Sequence, residues 1–315
     1  MLIEELSNRL RAEIRRVVLG YDEPLDLVLA ALFSGGHVLL EGPPGTAKTL
    51  LMRTIAAACR MDFGRVQMTP DLLPGDITGS LVFRQGTGVF EFSRGPVFTN
   101  VLLADELNRA SARTQAALLE AMQELTVTTG GTTHDLPDPF LVIATQNPVE
   151  QEGTYPLPVA QLDRFMFKVV VGYPGGGAEE EIYRLHHATG ATTTPQKLGV
   201  SPVLSAEDVR RVREEIRATA VRDEVVRYVR ELVQATRDHD SLSLGASPRG
   251  GLMLLTGAKS LARLAGREFV TPDDIQTALK PALRHRVMLT PAAEIEGLTT
   301  DDVLDDVTEA VAVPR

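Results

Sequence analysis

Lys48 and Thr49 stand directly behind a glycine-bearing stretch, Gly42-Pro43-Pro44-Gly45-Thr46-Ala47. A short apolar run, Val38-Leu39-Leu40, precedes it, and Leu50 opens a run of good helix formers through Ala58. Strand, glycine loop and helix in that order make a cradle for phosphate. Gly42 and Gly45 let the backbone turn so that N–H groups face phosphate oxygens. The helix behind them presents its positive end to the same anion. Lys48 has the reach and charge for the outer phosphates of a nucleoside triphosphate, and the Thr49 hydroxyl suits Mg²⁺. Ala47 departs from the general pattern, which has glycine before the lysine.

A second chemical pair is Asp105-Glu106, at the end of the apolar run 101–104. A strand that delivers a carboxylate beside a phosphate loop supplies a Mg²⁺ ligand, here Asp105. Glu106 next to it can polarise an attacking water as general base. The competing reading is that both acids merely start the next helix, where negative charge suits the dipole. Asn147 ends another apolar run in Ala144-Thr145-Gln146-Asn147-Pro148. Its amide can orient water and phosphate, or simply form a turn before proline.

These groups need elements to hold them. Ile3, Leu6, Leu10, Ile14 and Val17 share one face of a helix over 3–18, and a second helix is expected over 24–33. The runs 101–104, 140–144 and 165–171 are apolar throughout, as strands buried on both faces of a parallel sheet would be. Residues 81–93 around Gly86-Thr87-Gly88, and 126–135 around Gly130-Gly131, predict two hairpins that such a sheet does not require. Gly172-Tyr173-Pro174-Gly175-Gly176-Gly177 marks a boundary. Beyond it lie helices over 178–189, 209–218, 223–238 and 271–283, a loop over 192–202, and an acidic helix over 301–307 read as a solvated face.

Composition limits the setting. The 315 residues suffice for one large or two ordinary domains, and 43% hydrophobic with 23% charged residues describes an ordinary globular chain. A net charge of -10 invites no polyanion, and the single Cys59 excludes both an internal disulfide framework and a thiolate metal cluster. Cys59 reads as a small buried hydrophobe. No signal sequence or membrane-spanning run is present, so a cytoplasmic protein without membrane contact is expected. His186-His187 lack companions at metal-ligand spacing, while His285 fits either a nucleotide sensor or a helix cap.

Together the loop 42–49, the Asp105-Glu106 segment 104–110, Asn147 within 144–148, Leu162-Asp163-Arg164-Phe165 and Gly245-Ala246-Ser247-Pro248-Arg249 resemble the MoxR family of AAA+ ATPases. The stretch 65–79, beginning Arg65-Val66-Gln67, resembles the most distinctive signature of that family. The likeness runs over about residues 10–290, and this family often has alanine before the lysine. It implies an α/β P-loop core over 1–174, a parallel sheet between helices with hairpin inserts, and a C-terminal all-helical lid over 175–315. It implies ATP and Mg²⁺ as ligands of 42–50 and Asp105, with Val18 and Tyr21 near the adenine. Asn147 would be the first sensor, Arg164 an arginine finger reaching a neighbour's ATP, and Arg249 a second sensor on the lid. Read without the resemblance, either arginine fits a surface ion pair.

A finger acting in trans leaves each site incomplete alone, so a closed ring is expected, a homo-hexamer by resemblance. The resemblance also implies chaperone-like maturation of a protein client, often with a von Willebrand factor A domain partner. Alternatives are the ATPase subunit of a magnesium-chelatase-like complex, a nucleic-acid motor, and a nucleotide-gated switch without turnover. A motor grips phosphates with basic hairpins. Here residues 81–93 hold one Arg and one Glu, and 126–135 hold no Lys or Arg. Glu106 argues against a pure switch, which needs no base. Phe83, Phe90 and Phe92 are expected to pack the first hairpin onto its own domain in preference to facing a client.

Overall fold

The structure, a computed structural model, describes residues 2–86, 88–147, 155–189 and 194–314. Thr87 in the turn of the first predicted hairpin, Pro148 behind Asn147, and 192–193 of the predicted loop lie outside the described residues.

The first part of the chain runs α1 (Leu2–Arg15), α2 (Asp22–Ser34), β1 (Val38–Glu41), α3 (Lys48–Ala58), β2 (Phe63–Gln67) and α4 (Pro74–Thr78). It continues through β3 (Gly79–Arg84), β4 (Val89–Arg94), β5 (Val101–Asp105), α5 (Ala112–Glu124), β6 (Thr126–Thr129) and β7 (Thr132–Asp135). The elements β8 (Leu141–Gln146), α6 (Val159–Leu162) and β9 (Phe167–Val170) complete it. Helices then dominate: α7 (Gly176–Thr189), α8 (Ala206–Arg217) and α9 (Asp223–Asp238). After β10 (Leu242–Leu244) come α10 (Pro248–Leu264), α11 (Pro272–Leu283), β11 (Met288–Leu289), α12 (Pro291–Ile295) and α13 (Thr300–Ala310). The helical region thus also carries a short antiparallel ribbon, β10 with β11.

Five strands form one sheet in the order β2-β5-β8-β1-β9, and every neighbouring pair is parallel. Val101–Ala104 and Leu141–Thr145 are buried along their length, as central strands covered on both faces must be. Parallel order sends all five carboxyl ends to one edge, where open α/β sheets place their ligands. β2 is different. It lies at the sheet edge and alternates between buried Val66 and more accessible Arg65 and Gln67, so its sequence carries no continuous apolar run.

Ile3, Leu6, Leu10, Ile14 and Val17 are buried, so the face predicted for the first helix is the one that packs. Each such side chain contributes roughly 1.5–3 kcal/mol by leaving water. The helix ends earlier than predicted, at Arg15, and α2 ends on Gly35 in the left-handed region at φ 74°. Ser205 with Asp208, Thr271 with Asp274 and Thr299 with Asp302 close capping boxes at α8, α11 and α13. The acidic terminal helix is more than a solvated face. Asp301 pairs with Arg284 at 2.9 Å and Asp305 with Lys280 at 2.6 Å, while Val303, Leu304 and Val307 are buried beneath.

Both predicted hairpins form, β3 with β4 and β6 with β7. The first divides along its length. Near its base Phe92 stacks on His134 with ring centroids 4.2 Å apart and meets Phe98 edge-on, so packing holds there. Phe83 and Phe90 face each other across the strands at 5.2 Å and stay 51% and 66% exposed, which departs from the packing expected of them.

Cys59 is buried, and burial pushes its thiol up to about 12, so it is inert. His37 is buried too, in its neutral form. Val142 N–H donates to Nδ1 at 3.0 Å, so Nε2–H donates to the Met122 carbonyl at 3.0 Å. Burial pushes its pKa down to about 4, against about 6.5 in an unfolded chain. Between those values the unfolded chain binds a proton that the folded chain refuses, so stability falls as pH drops through that window. The loss expected from His37 between about pH 7 and about pH 5 is roughly 2 kcal/mol. Urea midpoints at the two pH values should therefore differ less for His37→Gln than for the native chain. Equal differences would remove His37 as the cause.

Candidate active site

The carboxyl ends of β1, β5 and β8 surround one cavity of about 580 Å³. Gly42, Pro44, Gly45, Thr46, Ala47, Lys48, Thr49 and Leu50 line it from the loop and α3. Asp105 and Glu106 line it from the end of β5, and Asn147 from beyond β8. These residues are far apart in sequence, and the parallel order brings them together.

The loop shows why its residue types matter. A side-chain carbon on Gly42 would sit 2.1 Å from the Val171 carbonyl oxygen, so only glycine lets β1 pass β9 there. Gly45 takes φ +82° with open space around it. Ala47 takes φ 51°, the left-handed conformation that glycine adopts without strain. Its departure from the general pattern therefore costs on the order of 1 kcal/mol, stored beside the cavity. Pro43 contributes its carbonyl, which accepts from Thr46 Oγ1 at 3.0 Å and Lys48 Nζ at 3.2 Å. Lys48 Nζ also donates to the Gly42 carbonyl at 2.6 Å. Burial lowers its pKa, while Asp105 and Glu106 act the other way. The ammonium is folded back on its own loop.

The two carboxylates have distinct surroundings. Thr145 Oγ1 donates to Asp105 Oδ1 at 2.9 Å and accepts from the Glu106 N–H at 2.9 Å. It thereby fixes Glu106 in a left-handed conformation at φ 57°. Arg65 grips the other oxygen of Asp105, with Nη2 at 2.7 Å and Nε at 2.9 Å. Glu106 Oε2 accepts from Gln67 Nε2 at 2.8 Å and from Arg109 Nη1 at 2.9 Å. Arg53, Arg65, Gln67, Thr145 and Gln146 also line the cavity, and the sequence alone points to none of them as a site residue. For Arg65 and Gln67 the missing signal was the strand: i and i+2 on β2 share a face, and β2 pairs with β5.

The Thr49 hydroxyl and the Asp105 carboxylate are hard oxygen donors that both line the cavity. Among the described residues no group of three or more His, Cys, Asp or Glu is placed to hold a metal by itself. The set suits Mg²⁺, which keeps most of its waters and needs only one or two protein ligands beside phosphates.

Five predicted site residues lie outside the cavity lining, and the first, Pro43, contributes only its carbonyl to the loop. Val18 and Tyr21 are buried between α1 and α2, and Gly20 between them lies against Pro174 and Ala178. Arg164 is half-buried just beyond α6. Arg249 sits in the first turn of α10, its Nε 4.0 Å from Asp163 Oδ2. The segment around Arg164 is clamped from the helical region by Arg286, which is buried at the end of α11. Arg286 Nε donates to Asp163 Oδ1 at 2.6 Å, and Nη2 donates to the carbonyls of Asp163 at 2.9 Å and Phe165 at 2.6 Å. His285 joins the clamp at the Phe165 carbonyl, 3.0 Å away, and does not line the cavity. Burial, then the charge of Arg286, drives its pKa well below the usual value.

Residues 37–167 match the ATPase family associated with various cellular activities (AAA), and 234–307 match the AAA lid domain. The chain is 46% identical to the uncharacterized protein YeaC of Bacillus subtilis, over 96% of this chain and 92% of that one. It is 44% identical to chaperone MoxR1 of Mycobacterium tuberculosis, over 96% and 81%, and 32% identical to protein MoxR of Paracoccus denitrificans, over 90% and 88%. A crystal structure of a Cytophaga hutchinsonii protein assigned as an ATPase superposes with a TM-score of 0.92 at 40% identity, covering 99% of this chain and 96% of that one.

Proposed function

The chain belongs to the MoxR family of AAA+ ATPases, and on that premise we propose that it spends MgATP, as a ring, on remodelling a protein client. The carrying observation is the division of its charged groups. The phosphate loop, Asp105, Glu106 and Asn147 share one cavity, while Arg164 and Arg249 stand outside it. The backbone N–H groups of Gly45, Thr46 and Ala47 turn to the phosphates, and Lys48 exchanges loop carbonyls for phosphate oxygens. Glu106 takes a proton from the attacking water, and Asn147 orients that water. Thr49 and Asp105 would hold Mg²⁺, which would supply charge neutralisation on the phosphates. Arg164 of one subunit completes the site of its neighbour, a heterologous contact that closes into a ring, by family likeness a hexamer. Residues 1–174 act as the core and 175–315 as the lid, which carries Arg249 toward the nucleotide as it moves.

The working surface fits protein better than nucleic acid. On the first hairpin Val82, Phe83, Val89 and Phe90 are exposed, whereas Arg84 is spent on Glu91 at 3.0 Å. An apolar tip without free cations has little to offer a phosphate backbone. A von Willebrand factor A domain protein is the partner we expect, in the cytoplasm.

ATP turnover per subunit, measured across protein concentration, tests the reading. It should climb with concentration, ignore single-stranded DNA, and change when von Willebrand factor A domain proteins of the same organism are added. A flat profile would sink the ring, and stimulation by DNA would favour a motor.

A further inference from the structure

Arg65 opens the signature stretch 65–79, yet the scheme above leaves it without a task. Its side chain is 45% exposed at the mouth of the cavity. Both Nη2 and Nε converge on one oxygen of Asp105, Oδ2, at 2.7 and 2.9 Å. Thr145 takes Oδ1. The carboxylate assigned to the metal therefore has both oxygens engaged, and the partner on its Oδ2 side is itself a cation.

We propose that Arg65 is a gate on the metal site: its guanidinium stands in for Mg²⁺ on Asp105 and must leave when the metal arrives with nucleotide. This rests on the reading of Asp105 as the metal carboxylate. Three features support it beyond a plain ion pair. β2 is an edge strand, so a long side chain there can swing without disturbing a neighbour on its outer side. A second acceptor, Gln67 Oε1, lies 3.5 Å from Nη2 on the same strand face and offers a place to go. Finally, Asp105, Glu106 and a triphosphate would crowd like charges when the metal is absent. A guanidinium on Asp105 relieves that crowding, so the gate favours metal-free nucleotide and opposes the metal-bound form.

Those opposed effects give the test. Binding of a fluorescent, non-hydrolysable ATP analogue is measured on the full chain with Mg²⁺ and again with EDTA, for the native protein, Arg65→Gln and Asp105→Asn. The quantity read is the ratio of the two dissociation constants, the factor by which Mg²⁺ tightens binding. Arg65→Gln should weaken binding in EDTA and tighten it in Mg²⁺, raising the ratio roughly tenfold. A residue that merely staples β2 to β5 would weaken both alike and leave the ratio unmoved. Arg65→Lys, which keeps the charge and loses the two-nitrogen grip, should give an intermediate ratio and serves if the glutamine variant does not fold. An unchanged ratio in the Arg65 variants, with Asp105→Asn abolishing the Mg²⁺ effect, overturns the gate alone. A Mg²⁺ effect that survives in Asp105→Asn overturns the assignment of Asp105, and the gate with it.

Discussion

Glu106→Gln is expected to lower ATP turnover by about 10²–10⁴-fold while nucleotide binding is kept or slightly tightened. The amide has the shape of the carboxylate and keeps an oxygen for Gln67 and Arg109, which now meet at Oε2. Its backbone tie to Thr145 is untouched, so the left-handed turn at 106 persists. What it loses is the ability to take a proton from water. It also removes one negative charge near the phosphates, which is why affinity should not fall. Single-turnover hydrolysis beside fluorescent-nucleotide binding separates the two effects. Turnover near the native rate would remove Glu106 as the base. Loss of binding together with turnover would mean that the residue holds the loop together and does not act on water.

The parts of this site that were legible in the sequence are those whose chemistry is local. The phosphate loop is one continuous stretch, and its glycines announce a backbone conformation before any fold is known. β5 and β8 stood out because central strands are apolar on both faces, and each hands its last residues to the cavity. What escaped depends on neighbours distant in sequence. β2 escaped because an edge strand facing an active site is half polar, so Arg65 and Gln67 hid in a stretch without an apolar run. α10 escaped because Gly250, Gly251 and Gly257 argue against a helix on propensity. Packing wins there: a side-chain carbon on Gly257 would sit 2.6 Å from the Phe167 ring, so glycine is what lets the helix lie against β9. α7 likewise begins at Gly176, inside the glycine stretch expected to exclude a helix. His285 drew attention in sequence for other roles and Arg286 for none, and the two become a clamp only when the end of α11 meets the end of α6.

Arg164→Ala is expected to be nearly as inactive as a chain can be while still binding nucleotide, with a loss of about 10³–10⁵ in turnover. The argument starts from what holds the residue. Its amide donates to Gln161, and its neighbours Asp163 and Phe165 are both fixed by the buried Arg286. A peptide held this firmly fixes the point from which the side chain starts, which limits the reorganisation needed to stabilise a transition state. Within its own chain Arg164 does not line the cavity, so on the ring reading its charge would serve a neighbour's site. Mixing decides where. Arg164→Ala and Glu106→Gln chains are each inactive alone, and no chain in an equal mixture carries both intact residues. If Arg164 acts within its own subunit, the mixture stays dead. If it acts across the interface, random assembly pairs an intact Glu106 with a neighbour's intact Arg164 at about one interface in four. Turnover should then return to about a quarter of the native rate, and should fall back on dilution as the ring comes apart. No recovery at any concentration would place the finger in cis or remove it from the chemistry. In either case the incomplete cavity of the single chain would no longer argue for a ring.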